Sequence, residues 1–312
     1  MNISLIDVDG HNYPNLALMK ISAYHKMIGD SVEWYSPLLS NPDKIYASKI
    51  FNFSPEPYIN PNHPEPERGG TGYSLTKKLP KEIDDMFPDY SIYPQYDFAV
   101  GFLTRGCIRN CPWCVVPKKE GQFYIYNDIQ KIARKDTRRV FLMDNNFLAS
   151  PIEFIKEQTD IMIKMKLKID FNQALDARLV NEENAKILSR VKWDKYIRFS
   201  CDTWSSIEPV KKAVKLLRQT GYTKDFFIFF LAKEIDETHE RINQITEIDE
   251  RIMPFCMPFR NLENGIILNK ELQRFANWCN KQAVRRTISW EEFSTKPSQW
   301  KQAENQDQMN LF

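Results

Sequence analysis

Three cysteines within eight positions, Cys107, Cys111 and Cys114, are the residues of this chain best suited to chemistry. Their C-x3-C-x2-C spacing puts three soft thiolates on one short piece of backbone, in which Gly106 and Pro112 supply bends. Thiolates at such spacing bind zinc or an iron–sulfur cluster. Three of them are an incomplete set for a closed four-ligand site. Either a distant residue supplies the fourth ligand, or one coordination position is left open for chemistry.

Residues 104–114, which we call the cysteine loop, resemble the cluster loop of the radical S-adenosylmethionine (radical SAM) superfamily, with Trp113 directly before the last cysteine. The resemblance implies that Cys107, Cys111 and Cys114 hold three irons of a [4Fe–4S] cluster, while the fourth iron chelates the methionine end of SAM. It also implies that SAM is split to a radical that takes hydrogen from a substrate carbon. An electron donor of the flavodoxin or ferredoxin type would reduce the cluster.

An alternation of strands and helices must position this loop, and it runs from Tyr96 to about residue 283. The predicted strands are Phe98–Leu103, Arg139–Asp144, Lys168–Leu175, Tyr196–Asp202, Asp225–Ala232 and Arg251–Phe259. The predicted helices are Asn127–Lys135, Ile152–Lys166, Glu182–Val191, Ser206–Thr220, Glu237–Ile248 and Lys270–Lys281. Such β/α units favour a parallel sheet with its crossover helices outside. The radical SAM core has a (β/α)6 layout with the cluster loop after its first strand, so we expect a partial (β/α)6 radical SAM barrel over residues 96–285.

Polar residues at the carboxyl ends of the strands are the next candidates, because parallel barrels carry their active sites there. The second predicted strand ends in Asp144, and Asn145 and Asn146 come directly after it. The family usually has a Gly-Gly-Glu-like stretch at this place, which takes the amino group of SAM. This chain keeps a carboxylate and acceptors but has no glycines. An Asx turn that caps the next helix is an equally good interpretation of Asn146.

The third and fourth strands carry further polar candidates. Their period of two predicts that Asp176 and Arg178 share one face of the third strand, and Arg178 would pair with a ligand carboxylate. On the fourth strand, Ser200 and Asp202 would face inward, towards the ribose and methionine positions of the family. Cys201 would face outward and pack as a small apolar residue.

The last strand ends in Met257 and Pro258, which would pack against adenine in the radical SAM arrangement. A different class of protein is an alternative for the whole site. In that alternative the chain is a non-enzymatic zinc protein, with Asp144 or a water as the fourth ligand.

Residues 1–53 read as a small, Rossmann-like α/β unit, with a helix that Asn15 caps. This part resembles the cobalamin-binding-like domain that precedes some radical SAM barrels. In that domain a D-x-H-x-x-G loop supplies a histidine to cobalt. His11 matches the first half of the loop, but Pro14 stands where the glycine belongs, so we do not expect cobalamin.

Residues 54–95 are rich in proline and glycine and are predicted to form an extended connector or lid, with no clear strand before the glycines of residues 69–72.

The composition and the ends of the sequence indicate what the protein can bind and where it works. A net charge of +2 gives no global attraction to nucleic acid, and six cysteines do not make a disulfide framework. No signal peptide or membrane span is evident, so we expect a cytoplasmic protein.

Residues 286–312 are predicted to be a polar tail. The tail ends in Gln308, Met309, Asn310, Leu311 and Phe312, which resemble the peptide that docks bacterial and phage proteins on the DNA sliding clamp. A tail folded back on its domain, or chance, would also explain it.

The resemblance to the radical SAM superfamily implies an enzyme that removes hydrogen from a substrate carbon. The tail favours a nucleotide or a nucleic-acid base as the substrate, in modification or repair. Modification of a peptide or protein is the alternative within the same enzyme class.

Overall fold

The computed structural model describes residues 1–10, 13–260 and 269–295. His11 lies outside the described residues, and so do the clamp-like residues Gln308, Met309, Leu311 and Phe312. The protein is an α/β protein with parallel sheets, and its chain divides into two compact units. Of the described residues, the first unit takes residues 1–97 and the second takes the rest.

The first unit is a parallel four-stranded sheet with helices. Its strands are β1 (Asn2–Asp7), β2 (Ser31–Trp34), β3 (Lys44–Ser48) and β4 (Glu67–Gly69), and its helices are α1 (Leu16–Met27) and α2 (Lys81–Asp84). The strands lie in the order β2-β1-β3-β4, and every pair is parallel. The chain therefore leaves β1 towards one side of the sheet and later continues on the other side. Ligands of open α/β sheets bind beside such a reversal, at the carboxyl ends of the strands.

Helix α1 begins where the sequence predicts, because the side chain of Asn15 accepts a hydrogen bond from the backbone nitrogen of Leu18 at 3.2 Å. Leu18 and Ile21 of this helix pack on Ile3 and Leu5 of β1 in one buried cluster. Ile6 of β1 belongs to a second cluster on the opposite face of the sheet. Both faces of β1 are thus covered, as a central parallel strand requires.

The segment predicted as a connector is built into the first unit. It contributes the edge strand β4, helix α2 and a 3-10 turn at Tyr90–Ile92. The expectation that no strand precedes the glycines was wrong, because β4 ends at Gly69. Gly70 has φ +91° and lies so close to the carbonyl oxygen of Lys49 that a side chain would collide with it. Close packing against Lys49 therefore accounts for this glycine.

The second unit alternates strands and helices. Its strands are β5 (Phe98–Gly101), β6 (Thr104–Arg105), β7 (Tyr124–Ile125), β8 (Arg139–Leu142), β9 (Lys168–Phe171), β10 (Ile197–Ser200), β11 (Phe226–Ala232) and β12 (Ile252–Pro258). Its helices are α3 (Val116–Lys119), α4 (Ile129–Ile132), α5 (Ile152–Lys164), α6 (Glu182–Arg190), α7 (Ile207–Gln219), α8 (Ile235–Thr246), α9 (Lys270–Asn280), α10 (Gln282–Thr287) and α11 (Trp290–Thr295).

Six of these strands are parallel and follow one another in space as they do in the chain. One sheet has the order β5-β8-β9 and another the order β10-β11-β12. Single parallel bridges, Ile169 to Trp193 and Leu175 to Phe199, join the two sheets between β9 and β10. The six predicted strands and their parallel pairing within each sheet are confirmed, although each observed strand is shorter at one or both ends.

The third strand departs most from its predicted form. We expected a continuous strand to Leu175 with a strict period of two, but β9 ends at Phe171. Ala174 has φ +75°, a conformation that breaks an extended strand. The polar residues that follow lie on a 3-10 turn, Ala177–Leu179, which Asp176 caps. Their positions therefore follow from a turn and not from strand alternation.

The chain beyond residue 286 also begins with more structure than the predicted polar tail. Helix α11 packs its Trp290 ring against Phe275 and Trp278 of α9, at centroid distances of 5.1 and 5.9 Å. The guanidinium of Arg274 donates to the carbonyl oxygen of Phe293 at 2.9 Å. These contacts anchor the chain as far as Thr295 on the second unit.

Within the described ranges, no helix is both long enough and apolar enough to cross a bilayer.

Candidate functional site

The cysteine loop is framed by a small antiparallel ribbon. Strands β6 and β7 pair directly, with Thr104 opposite Ile125 and Arg105 opposite Tyr124. Arg105 strengthens this frame because its guanidinium makes a two-pronged ion pair with Glu120, at 2.8 and 2.9 Å. All three cysteines lie between the two strands of the ribbon, so the frame limits how far the loop can spread.

Asp144 fixes the loop where it leaves β5. Its carboxylate accepts hydrogen bonds from the backbone nitrogens of Leu103 and Thr104, at 3.1 and 2.6 Å, and from the Thr104 hydroxyl at 2.7 Å. The residue is buried, and burial raises the pKa of Asp144 to about 7, against the opposing effect of these hydrogen bonds. The carboxylate is thus engaged with the loop's own backbone. Its contact with a bound cofactor stays a prediction.

Asn145 and Gly106 make the next attachment. The backbone nitrogen of Gly106 donates to the side-chain oxygen of Asn145 at 3.0 Å. Gly106 has φ +73°, and a side chain there would collide with the carbonyl oxygen of Gln122. The turn into the cysteines therefore depends on glycine and on an amide supplied from the end of the second parallel strand.

Cys107 receives two hydrogen bonds at its sulfur. The backbone nitrogen of Arg109 and the side-chain nitrogen of Asn146 each donate to Sγ at 3.3 Å. Two N–H groups directed at one sulfur suit a thiolate, which only accepts. Asn146 is 2% exposed, and its side-chain oxygen is buried with no hydrogen-bond partner. The site thus contains a buried acceptor that a bound group could satisfy.

Asp176 links the cysteine loop to the turn after β9. Its carboxylate accepts from Nε of Arg109 at 3.0 Å and from the side-chain nitrogen of Asn146 at 3.4 Å. Arg178 adds a two-pronged contact at 2.6 and 3.1 Å. Burial alone would raise the pKa of Asp176, but the hydrogen bonds and charges of the two arginines lower it below its usual value. The carboxylate is therefore ionised at neutral pH.

The other two cysteines are poorly disposed to ionise without a bound cation. Burial raises the pKa of Cys111, Arg178 opposes this, and the negative charges of Cys107 and of the nearby Asp202 and Asp176 add to it. Burial also raises the pKa of Cys114, and the two neighbouring cysteines raise it further. These electrostatic effects show that the three sulfurs are close enough to influence one another. A metal would displace their protons.

Among residues 1–10, 13–260 and 269–295, no three His, Cys, Asp or Glu side chains already surround one point in a way that could hold a metal ion. The three thiols therefore share one framed loop without forming a finished cage. The donor set suits zinc or an iron–sulfur centre better than an oxygen-loving cation, because soft sulfur ligands select those centres.

Sequence reasoning missed Lys233, which directly follows β11. Its ammonium lies 4.9 Å from the centre of the Trp113 ring and 5.1 Å from that of Phe259. This cation–π arrangement connects Trp113 of the cysteine loop with the carboxyl ends of the last two strands. Lys233 makes no ion pair with a carboxylate in the part of the chain that the structure describes. The sequence feature that could have identified Lys233 is its position directly after a predicted parallel strand.

The fourth strand places its polar residues at its carboxyl end. Asp202 accepts from the backbone nitrogen of Leu231 at 3.0 Å, and the side chain of Ser200 is close enough to lower the pKa of the same carboxyl. Burial raises the pKa of Asp202, and the charge of Arg178 opposes that rise, so the two side chains are electrostatic neighbours. Cys201 is fully buried, as predicted, and burial raises the pKa of its thiol to about 12.

Met257 and Pro258 are half-buried where β12 ends, paired with Leu231 and Ala232 of β11. Their contact with adenine stays a prediction. Asn146, Asp176 and Arg178 are gathered around the cysteine loop, and Asp202 lies close enough to influence two of its cysteines.

No protein-family model matches this chain, and no curated protein matches it either. The chemistry of the site therefore has to be inferred from its own residues and their contacts.

Proposed function

We propose that this protein is a radical SAM enzyme, in which Cys107, Cys111 and Cys114 bind a [4Fe–4S] cluster. The six parallel strands in chain order would form the partial (β/α)6 barrel of that superfamily, with the cysteine loop after the first of them. When bound, a reduced cluster supplies an electron that splits SAM, and the resulting 5′-deoxyadenosyl radical removes a hydrogen atom from a substrate carbon. A flavodoxin- or ferredoxin-type protein would provide the electron.

One observation carries this proposal. The three cysteines lie on a loop at the carboxyl end of a parallel strand, and polar side chains from the ends of the next two strands reach that loop. Asn146 donates to the sulfur of Cys107, and Asp176 accepts from both Asn146 and Arg109. Such convergence suits a cofactor with an open coordination position, because residues beyond the thiolates must hold what binds there.

The protein's own residues would hold and orient the cofactor. The N–H groups of Arg109 and Asn146 would stabilise a thiolate at Cys107. The unpartnered side-chain oxygen of Asn146 offers an acceptor for an amino group, the role that this position has in the superfamily. Arg178, with Asp176 beside it, would hold positive charge close to Cys111.

A nucleotide or a nucleic-acid base is the substrate class we favour. Lys233 has its ammonium over Trp113 and Phe259 and no carboxylate partner among the described residues, so it can meet a phosphate. The clamp-like end of the sequence points to the same class. A peptide substrate would engage this lysine only through a carboxylate, whereas every nucleotide brings a phosphate.

Anaerobic reconstitution with iron and sulfide tests the cofactor. We expect about four irons per chain and broad visible absorbance from thiolate-to-iron transitions. The matched variant Cys201→Ala, which alters a buried cysteine away from the loop, should keep the iron, whereas Cys107→Ala should lose most of it. A colourless protein with about one zinc per chain would contradict the proposal and support the zinc-binding alternative. In that alternative Asp144 is a poor fourth ligand, because the backbone of Leu103 and Thr104 already occupies both of its oxygens.

A further inference from the structure

A crevice in the first unit has no part in the proposed chemistry. It lies at the carboxyl ends of β1 and β2 and has a volume of about 570 Å³. This volume falls within the range of small-molecule sites, roughly 300–1,000 Å³. The lining residues that matter are Asp7, Gly10, Trp34, Tyr35, Tyr58 and Tyr93. All of them belong to the first unit, so the crevice does not depend on the cysteine loop.

The aromatic walls of the crevice are held in place by their polar atoms. The indole nitrogen of Trp34 donates to the carbonyl oxygen of Ile92 at 3.2 Å, and its ring meets Tyr93 edge-on at 5.1 Å. The hydroxyl of Tyr35 accepts from the backbone nitrogen of Asn60 at 2.9 Å. Because these polar atoms are already used, the walls offer a ligand mainly the faces of their rings.

Asp7 is the polar group that such a ligand would meet. It ends β1, and the Tyr93 hydroxyl donates to its carboxylate. No lysine, arginine or histidine among the described residues forms an ion pair with it. Burial raises the pKa of Asp7, and the hydrogen bond from Tyr93 and the nearby side chain of Asn15 only partly oppose this. A half-buried carboxylate without a cation is stabilised by any further N–H donor.

Gly10 keeps this carboxylate accessible. A side-chain carbon at position 10 would lie 2.6 Å from Cγ of Asp7 and 2.7 Å from one of its oxygens. Any larger residue would therefore press on the carboxylate and push into the space beside it. Glycine at this place leaves room for a ligand edge to approach Asp7.

We propose that the crevice binds a guanine-type nucleobase, stacked on the aromatic walls with its neighbouring N1–H and N2–H groups on the Asp7 carboxylate. A carboxylate only accepts hydrogen bonds and has two oxygens side by side. Guanine presents two adjacent donors on one edge, whereas adenine and cytosine present a donor beside an acceptor on theirs. Stacking on aromatic side chains tolerates any base, so the selectivity comes from Asp7.

Calorimetric titration of the full chain with GMP, IMP and AMP tests the proposal without any variant. IMP lacks the N2 amino group but otherwise matches GMP. We expect saturable GMP binding, IMP binding about tenfold weaker, and AMP binding weaker still, because each lost donor leaves the carboxylate less satisfied. Equal affinity for the three nucleotides, or no saturable binding of GMP, would overturn the proposal.

Three variants sharpen the result. Asp7→Asn replaces one acceptor by a donor, so it should narrow or reverse the preference for GMP over AMP. Tyr58→Ala changes a side chain that is 69% exposed on the rim of the crevice, and it should weaken the binding of all three nucleotides several-fold. Phe87→Ala, at an aromatic that is 50% exposed in the same unit but outside the crevice, should leave binding unchanged. An unchanged preference in Asp7→Asn, or equal losses in the two aromatic variants, would contradict the assignment.

Discussion

The side-chain nitrogen of Asn146 donates a hydrogen bond to the sulfur of Cys107 at 3.3 Å. These residues are 39 positions apart and come from the ends of two neighbouring parallel strands. Asn146 is buried, and the same nitrogen also reaches Asp176 at 3.4 Å. One amide therefore couples a candidate metal ligand to the charged side chains around it.

Replacing this amide should change the cofactor's electronic properties more than its occupancy. Asn146→Ala keeps all three thiols, so we expect the iron content after reconstitution to stay near that of the wild type. Loss of an N–H donor at sulfur should lower the reduction potential. A hydrogen bond worth about 1 kcal/mol corresponds to roughly 40 mV for one electron. Redox titration followed by electron paramagnetic resonance measures the shift, and an unchanged potential would show that the amide does not act on the cluster.

Asp176 should support the cysteine loop through its two arginines. Asp176→Asn removes the charge that Arg109 and Arg178 share, and both arginines are at least one-third exposed. Because solvent screens such pairs, we expect a loss of about 1–2 kcal/mol in the free energy of unfolding. The pKa of Asp176 is lowered from 3.8, so this contribution is fully present above about pH 4 and is lost as pH falls through the lower folded-state value.

Urea unfolding of the wild type and of Asp176→Asn at pH 7 and at pH 3 measures both effects. Arg190→Gln is a suitable control, since its ion pair with Asp160 is about half exposed and lies outside the loop. A loss in Asp176→Asn that is no larger than the control's would contradict a role in supporting the loop.

Asp144 should give the protein a pH dependence of the opposite sign. Burial raises its pKa from 3.8 to about 7, so the folded protein keeps a proton that the unfolded chain has released between these values. The free energy of unfolding should therefore fall as pH rises from about 4 to about 7, by at most about 1.4 kcal/mol per pH unit. Asp144→Asn lacks this titration. In urea unfolding experiments, the free energy of unfolding of the wild type should therefore fall relative to that of Asp144→Asn as pH rises over that interval. A constant difference in this free energy would show that Asp144 is already ionised throughout.

Two glycines that lie between strands β6 and β7 in the chain give a matched test of the loop's geometry. Gly106 and Gly121 have φ +73° and +81°, but only a side chain at Gly106 would collide, with the carbonyl group of Gln122, whose carbon would lie 2.6 Å away. Gly121→Ala should cost about 1–2 kcal/mol from its backbone conformation alone. Gly106→Ala should cost a further 1–3 kcal/mol or so, and should reduce iron incorporation. Equal melting temperatures for the two variants would mean that the close approach at Gly106 is unimportant.

Much of the fold could be predicted from hydrophobic periodicity. Helices such as α5 and α7 carry long regular patterns, and the six parallel strands carry short apolar runs between them, so their positions follow from the sequence within a few residues. The cap at Asn15 was predictable for a similar local reason. The break after Phe171 was not, because it depends on one residue, Ala174, adopting a positive φ.

The cysteines of the candidate site could be predicted from the sequence, but most contacts between its side chains could not. Asp144 was expected beside a cofactor, yet it holds the backbone of Leu103 and Thr104. Lys233 was missed, since its place over Trp113 results from tertiary structure that no local pattern encodes. The frame formed by β6 and β7 was also missed, because strands of two residues leave no periodic signal.

Formation of 5′-deoxyadenosine tests the central claim most directly. The reconstituted protein would be incubated without oxygen with SAM and dithionite, and the products measured by mass spectrometry. We expect 5′-deoxyadenosine from the wild type and from the buried-cysteine control Cys201→Ala, and only background amounts from Cys111→Ala. Equal product from Cys111→Ala, or none from wild-type protein that carries about four irons per chain, would contradict the proposed function.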